Sequence, residues 1–197
     1  MIRVGIPVPN INCLKAETKS SLGALDKDKF NIFYCQGSSI SRMRNNMITE
    51  STKMFQNDFD FDYFLSVDSD IEFTEDNINQ LIDSNKPVIS GMYHYKDNKD
   101  KAVCGFFDKD GIIINNADMN SFGIHKMDWS GSGFLLIKKD VFKELEYPYF
   151  RSEVIRHEIN GEIHQDVCSD DIGFFLNCKR HNVDICVNCN CKLNHIK

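Results

Sequence analysis

The chain has 197 residues and a formal net charge of -6 at pH 7. This length suits one folded domain, which we place at residues 1–197. The negative charge argues against a protein whose main task is to grip nucleic acid, because phosphate binding needs a basic face.

The N-terminal stretch MIRVGIPVPN is a short apolar run broken by two prolines, too short and too interrupted for a signal peptide. No stretch approaches the roughly 18 apolar residues that a membrane span needs. We therefore expect a cytoplasmic protein without a membrane span. Its eight cysteines are then expected to be free thiols rather than disulfides.

The first half of the chain predicts alternating strands and helices. Predicted strands cover residues 2–8, 30–35 and 62–67, and a fourth lies in KPVISGMYHY and ends in Gly91. Predicted helices cover residues 12–25, with Asn12 as a candidate cap, the segment after Ser38 or Ser39, and residues 75–83 after Thr74. This order favours a parallel sheet covered by helices.

The second half changes in character. KAVCGFFDKDGIIIN predicts a hairpin that turns at Asp110-Gly111, and IHKMDW and GFLLIKK predict further strands. A short helix is expected at 140–145, an irregular and flexible loop at 150–168, a helix in SDDIGFFLNCKRH and a last strand in NVDICVNCNCKLNH. The fold class is therefore α/β, with a mixed, mainly parallel sheet flanked by helices and a small antiparallel element.

Two acids follow the third predicted strand. In DYFLSVDSDIEF the apolar run ends at Asp68 and Asp70, with nothing basic beside them in sequence. Ligands of open parallel sheets bind beyond the carboxyl ends of the strands. Two neighbouring carboxylates repel each other unless a cation lies between them, and hard oxygen ligands suit Mg²⁺ or Mn²⁺. The alternative is that both acids merely end the strand and cap the following turn.

A wider set of motifs, in order, carries a family resemblance. The segments GSSISRMRNN, DYFLSVDSDIEF, PVISGMY, DWSGSGFLLIKKDVF, SDDIGFF and a terminal NHI resemble the GT-A glycosyltransferases, in particular the small enzymes similar to their large inverting family. The resemblance runs from Ile2 to His195. It implies a Rossmann-like nucleotide-binding sheet within a GT-A fold.

The resemblance also implies an activity. It points to a metal-dependent glycosyltransferase of the hexosyl or N-acetylhexosaminyl type, which uses Mn²⁺ or Mg²⁺. The donor would be a nucleotide sugar, with a UDP-sugar expected, and the acceptor an unidentified hydroxyl. The metal would stabilise negative charge on the departing diphosphate.

The resemblance assigns the metal-binding residues. Asp70 would be the more direct ligand and Asp68 would approach the ribose or the metal, while Ser69 between them belongs to the donor site. His195, after the last strand, would be a third ligand. The alternative for His195 is a solvated side chain.

By the same resemblance, Asp171 with Asp170 beside it would take the place of the catalytic carboxylate, which in an inverting enzyme removes the proton of the acceptor hydroxyl. A retaining member of the fold would use this acid differently, so the stereochemistry stays open. The alternative is a helix start, with Ser169 at the cap and acids in the first turn.

The remaining donor-site assignments also rest on the resemblance. They are Pro7, Arg44, Asn45, Gly91, Trp129, Gly131 and Gly133, with Asn10 as a weaker candidate. Alternatives remain for several of them. Arg44 could pair with the acids or be an exposed helix residue, Trp129 could stack on a sugar or lie in the core, and Gly91 could be a simple turn residue.

Two other functions compete with this one. Cys186, Cys189, Cys191 and His195 could form a zinc site and make the chain a non-catalytic binding module, or the chain could be a degenerate nucleotide-sugar binder. Strand alternation argues against zinc, because Val183, Ile185, Val187, Cys189, Cys191 and Leu193 should share one face while Cys186 points to the other. A sugar-phosphate nucleotidyltransferase would have a glycine-rich, arginine-bearing loop after the first strand, which GIPVPNINCLK lacks.

Overall fold

A computed structural model describes residues 2–8, 14–36, 39–49, 61–107, 113–114, 118–159 and 161–196. The strands, in chain order, are β1 Ile2–Val8, β2 Phe30–Gln36, β3 Tyr63–Val67, β4 Ile71–Glu72, β5 Val88–Met92, β6 Cys104–Phe107, β7 Ile113–Ile114, β8 Ile124–Met127, β9 Trp129–Ser130, β10 Phe134–Lys138, β11 Val154–Ile159, β12 Glu162–Val167, β13 Ile185–Lys192 and β14 Asn194–His195. The helices are α1 Ala16–Gly23, α2 Ile40–Thr49, α3 Glu75–Asp83, α4 Val141–Glu144 and α5 Asp170–Arg180.

The main sheet has seven strands in the order β2-β1-β3-β10-β5-β13-β8. Strands β1, β2, β3, β5 and β13 run in one direction, whereas β10 and β8 run in the opposite one. The predicted fold class is confirmed: a mainly parallel sheet is flanked by helices and accompanied by small antiparallel sheets.

Strand β10, from the second half of the chain, is inserted among the parallel strands of the first half. It lies between β3 and β5 and is antiparallel to both. Its residues Phe134 and Leu136 pack in one core cluster, and Leu135 and Ile137 pack in another. Because both faces are buried, the strand reads as a continuous apolar run, which fits a central position.

The two clusters lie on opposite faces of the sheet. One cluster includes residues of α1 and α3, and the other includes residues of α2, α4 and α5. Helix α3 begins at the predicted residue, because the Thr74 hydroxyl and the Asn77 side chain form a reciprocal capping box. The Ser39 hydroxyl accepts a hydrogen bond from Arg42 N at 3.3 Å, as expected for the start of α2.

The predicted loop at 150–168 is wrong. Strands β11 and β12 form a regular antiparallel hairpin, with Val154 opposite Val167 and Ile159 opposite Glu162. All six residues of β12 are exposed. Since β12 buries none of its side chains, it leaves no alternating hydrophobic pattern for the sequence to show.

The expected alternation along the last strand is wrong at its C-terminal end. Val187 and Cys189 pack in a third cluster, whereas Cys191 and Leu193 pack with Cys186. The register of β13 against β5 shifts between Asn188 and Lys192. This irregularity turns the end of the strand over.

The predicted hairpin at 101–115 is present as the pair β6 and β7, and its predicted turn at Asp110-Gly111 lies outside the described residues. The candidate cap Asn12 also lies outside them. Within the described part of the chain, no helix has the length and apolar character needed to cross a membrane.

Candidate functional site

The centre of the candidate site is a buried arginine between two acids. Arg44 projects from α2 with a side chain that is 5% exposed. Its Nη2 donates to Asp68 Oδ1 at 3.0 Å and its Nη1 donates to Asp170 Oδ2 at 2.7 Å. Arg44 therefore joins the carboxyl end of β3 to the first turn of α5. Pairing with the acids was one of the alternatives that the sequence left open for Arg44, and the structure shows it.

The charges around Arg44 are unbalanced toward negative. Burial alone would lower the pKa of Arg44, but the carboxylates of Asp68, Asp170 and Asp171 outweigh it and raise the pKa above its ordinary value. Partial burial raises the pKa of Asp68. The negative charges of Asp70 and Asp171 raise it further, and the positive charge of Arg44 lowers it. Several acids thus surround one protein cation, an arrangement that favours a further positive charge.

Asp70 has its own partners. Its Oδ2 accepts a hydrogen bond from the Lys96 ammonium, and its Oδ1 lies 3.6 Å from His195 Nε2. Burial would raise the pKa of Asp70, but His195 and Lys96 outweigh it and lower the pKa to about 2. Strand β14 brings His195 here by pairing opposite Ile71 of β4, and Ile196 N donates to Asp70 O at 2.8 Å.

The two acids are not without basic neighbours, contrary to the sequence interpretation. Arg44 lies 24 residues before Asp68, and Lys96 lies 26 residues after Asp70. Both reach the acids only through the fold. Pairing of Arg44 with the acids was one alternative from the sequence, whereas the contact of Lys96 could not be found from the local sequence.

The donor atoms at Asp70 suit a divalent cation. His195 Nδ1 lies 2.8 Å from the His94 carbonyl oxygen, which can only accept, so this nitrogen carries the proton and Nε2 faces Asp70. The hydrogen bond with Asp70 raises the pKa of His195, so the space between Nε2 and Oδ1 favours a proton. In the neutral imidazole, the Nε2 lone pair and the carboxylate oxygen both face this space, and a cation there would satisfy both. Among the residues that the structure describes, no three His, Cys, Asp or Glu side chains are placed so that they could hold a metal ion together. The fit therefore rests on Asp70 and His195, with Asp68 close by and held by Arg44.

Asp171 is oriented by its own helix turn. Its Oδ1 accepts hydrogen bonds from the Ser169 hydroxyl and from Ile172 N, the latter at 3.0 Å. Ser169 stands at the N-cap position but makes no side-chain capping bond. Of the alternative interpretation as a helix start, the acids in the first turn are present, but the capping bond is not, and the hydroxyl instead fixes the carboxylate.

Asn45 holds backbone. Its Nδ2 donates to Phe150 O at 2.7 Å and its Oδ1 accepts from Phe150 N at 3.2 Å. The Ser41 hydroxyl donates to the same carbonyl oxygen. Contact of Asn45 with a nucleotide stays a prediction, while in the structure its amide fixes the segment that leads into the β11–β12 hairpin.

Gly131 and Gly133 make room for a tyrosine. A Cβ on Gly131 would stand 1.9 Å from the Tyr93 hydroxyl oxygen, and one on Gly133 would stand 2.8 Å from it and 3.0 Å from Asp68 Oδ2. Gly133 N donates to the Tyr93 oxygen at 2.9 Å. Burial raises the pKa of Tyr93 well above its usual value, and Asp68 adds to the rise, so the phenol stays protonated.

Trp129 lies in the core, which was one of the two alternatives for it; the other was stacking on a sugar. Its side chain packs in the cluster that contains α5, it is 3% exposed, and its Nε1 donates to Phe106 O at 3.2 Å. Stacking on a sugar needs an exposed ring face, so that expectation is not met in this conformation.

The other assigned residues surround the site less directly. Ser69 O accepts a hydrogen bond from Lys15 N, and Gly91 lies inside β5, where a Cβ would stand 2.6 Å from Leu193. Pro7 lies near the carboxyl end of β1, and Asn10 falls outside the described residues. Their predicted contacts with a donor stay predictions.

The alternative zinc site is not assembled. Cys189 lies in a different cluster from Cys186 and Cys191, and all three are buried free thiols. His195 faces Asp70 rather than these thiols.

Sequence reasoning found neither Lys96 nor Tyr93 as a residue of the site. The signal for Tyr93 was the pair of glycines, since a buried ring needs small residues opposite it. No sequence pattern indicated a role for Lys96, because it is one of several lysines in the loop between β5 and β6.

Comparisons with known proteins give a fold and no family. No protein-family model and no curated protein matches the chain. Its structure is similar to that of A197 from STIV, with a TM-score of 0.52 and 14% sequence identity over 100% of this chain and 94% of that one. It is also compared with a glycosyltransferase involved in the glycosylation of the major capsid of PBCV-1, with a TM-score of 0.37 and 14% identity over 72% of this chain and 62% of that one. The first likeness shows a shared fold alone, and the second is too slight to carry an argument about chemistry.

Proposed function

We propose that this chain is a glycosyltransferase that moves a sugar from a nucleotide-sugar donor, expected to be a UDP-sugar, to a hydroxyl acceptor. The observation that carries the proposal is the linkage of Asp68, Arg44 and Asp170. It ties the acid at the end of β3 to the helix turn that presents Asp171. The residues that bind the donor and the acid that acts as the base would thereby be held in place relative to each other by Arg44.

Asp70 and His195, with Asp68 beside them, are the residues that would hold Mn²⁺ or Mg²⁺. When bound, the ion would supply Lewis-acid stabilisation of the departing diphosphate. The chain's own part is to orient these ligands: the His94 carbonyl fixes the His195 ring, and the pairing of β14 with β4 fixes its distance from Asp70.

Asp171 is the proposed general base. Among the described residues, both of its hydrogen bonds fall on Oδ1, which leaves Oδ2 to take the proton of the acceptor hydroxyl. The deprotonated oxygen of the acceptor would form the bond to the anomeric carbon of the sugar. The bond from that carbon to the phosphate oxygen would break, and the diphosphate would leave with the electron pair.

The first experiment is a donor screen. Thermal unfolding and calorimetry of the full chain would be followed with a panel of nucleotide sugars, with and without Mn²⁺, and slow donor hydrolysis would be measured alongside. We expect one nucleotide sugar to stabilise the chain in a metal-dependent manner. Absence of stabilisation and hydrolysis with every donor would contradict the proposal.

Two variants separate binding from chemistry. Asp70→Asn should abolish the metal-dependent stabilisation. Asp171→Asn should keep the donor affinity within about threefold but lower the rate of transfer about 10²- to 10⁴-fold, the usual contribution of a general base. Asp83→Asn, a remote change of the same type at the end of α3, is the control. Full activity in Asp171→Asn would remove its role as base.

A further inference from the structure

Lys96 lies in a closed loop at the site. The loop joins β5 to β6: Tyr95 N donates to Lys101 O at 3.1 Å, and His94 pairs with Ala102 in an isolated bridge. The same loop supplies the His94 carbonyl that holds His195. Two neighbouring loop residues thus arrange the surroundings of Asp70.

The Lys96 ammonium sits on the carboxylate best suited to a metal ion. It donates to Asp70 Oδ2, while Oδ1 faces His195. The Lys96 side chain is 50% exposed and that of Asp70 is 18% exposed. The acid is therefore fixed within the site, whereas the lysine can withdraw into water at little energetic cost.

We propose that Lys96 and a divalent cation compete for Asp70, so that Lys96 occupies the carboxylate in the ion-free protein and is displaced when the ion binds. An ammonium group and a divalent ion on one carboxylate repel each other strongly at contact distance. The carboxylate therefore binds one or the other. The inference rests on the metal-binding part of the proposed function.

The competition has a consequence that a purely structural role for Lys96 lacks. Removing a structural contact would leave metal affinity unchanged or weaken it. Removing a competitor strengthens it. The sign of the change in affinity therefore distinguishes the two roles.

The test is a Mn²⁺ titration of the full chain, without nucleotide, by calorimetry and by the electron paramagnetic resonance of free Mn²⁺. We expect Lys96→Gln to bind Mn²⁺ about twofold to fivefold more tightly than the unchanged chain, the range expected for loss of a partly exposed ion pair. Lys99→Gln removes the same charge from the same exposed loop and should change the affinity less than about twofold. Asp70→Asn should lose binding.

A second readout follows Lys96 itself. Brief acetylation with mass spectrometry should find Lys96 at least about twofold more reactive when Mn²⁺ saturates the chain, since the displaced amine is solvated, while Lys99 stays unchanged. Unchanged or weaker Mn²⁺ binding in Lys96→Gln, with normal binding in the unchanged chain, would overturn the competition alone. If no variant binds Mn²⁺, the competition and the metal site are both wrong. Stabilisation of the chain by a nucleotide sugar without metal, in the donor screen, would then still support the proposed transferase.

Discussion

Tyr93 is the residue around which the Gly131–Gly133 segment is shaped. Its buried phenol oxygen accepts a hydrogen bond from Gly133 N and lies beside the space next to Asp68. Removal of the hydroxyl would leave a buried N–H without this partner. The glycines at this position are thus explained by packing against the protein's own ring.

A double-mutant cycle tests this arrangement. Gly131→Ala should lower the free energy of unfolding by about 2–3 kcal/mol, because its Cβ would stand 1.9 Å from the Tyr93 oxygen. Tyr93→Phe should lower it by about 1–2 kcal/mol through the lost hydrogen bond. In the double variant the oxygen is gone, so urea unfolding should give a loss smaller than the sum. Strict additivity would show that the two residues do not meet.

At this scale the sequence predicted which residues gather but not how they pair. Asp68 and Asp70 were predicted because they follow a buried strand of the sheet, whereas Asp170, Asp171 and His195 were assigned by the family resemblance. The pairings of Arg44 and Lys96 depend on segments far away in sequence. The role of Asn45 also depended on Phe150, 105 residues later.

Helix α5 is held against the segment that precedes the β11–β12 hairpin. Phe150 and Phe174 stack with ring centroids 4.5 Å apart, and a Cβ on Gly173 would stand 1.7 Å from the Arg151 carbonyl oxygen. The close approach of backbone to helix requires glycine there. The position of the Asp171 turn depends on this contact.

Gly173→Ala should therefore lower the free energy of unfolding by more than about 2 kcal/mol, since the clash is with backbone that cannot rotate away. Gly23→Ala, in α1, is the matched control: nothing lies within 4 Å of its Cβ. That variant should be stabilised by about 0.4–1 kcal/mol. Denaturant unfolding of both measures the contrast, and equal effects would contradict the packing argument.

The base of the hairpin carries an ion-pair network. Glu153 accepts hydrogen bonds from Arg180 at 2.6 and 2.8 Å and from Arg151 Nε at 2.7 Å. Arg180 foremost, with Arg151, lowers the pKa of Glu153. A lowered pKa in the folded state means stability that is present above the ordinary value of 4.5 and is lost as the pH falls through the folded value.

Glu153→Gln should thus destabilise the chain at pH 7, by about 1–2 kcal/mol, and the difference from the unchanged chain should shrink as the pH falls below about 4. Glu162→Gln, an exposed change on the same hairpin, should stay within about 0.5 kcal/mol at both values. Urea unfolding at pH 7 and pH 3.5 makes the comparison. A difference that does not depend on pH would show that the charge of Glu153 is not involved.

Elements with a strong local signature were predicted with nearly correct bounds. Helix α3 has its Thr74 cap and a buried stripe at Ile78 and Leu81, and β3 is an apolar run. The β11–β12 hairpin was missed because Val154, Ile163 and Val167 are exposed and scattered among polar residues. The partly buried Ile155, which packs against the core, is too little to give a hydrophobic period.

The described cysteine side chains are spread through the interior of the molecule. The six whose side chains are described are buried and unpaired. Burial raises the pKa of Cys104 and Cys191 to about 12 and that of Cys178 further. Such thiols react slowly because the nucleophile is the thiolate.

In a variant with Cys13 and Cys35 changed to serine, the remaining thiols should react with Ellman's reagent at least about 100-fold more slowly in the native chain than in urea. A zinc-selective chelator should leave the thermal midpoint unchanged. Fast native reaction would contradict the burial of these thiols. A chelator-induced loss of fold would restore the zinc alternative.

The overall class of the fold could be predicted from the order of strands and helices, but the insertion of β10 could not. Its sequence, FLLIK, states only that it is buried on both faces. Which two strands it separates is decided by the packing of the whole chain.

The place of β10 has a consequence for synthesis on the ribosome. Strands β3 and β5 are complete by residue 92, yet neither can pair with its final neighbour on this side until residues 134–138 have emerged. Until then both nascent edges offer open backbone groups to other chains. Molecular chaperones would therefore be needed most while residues 93–133 are being translated.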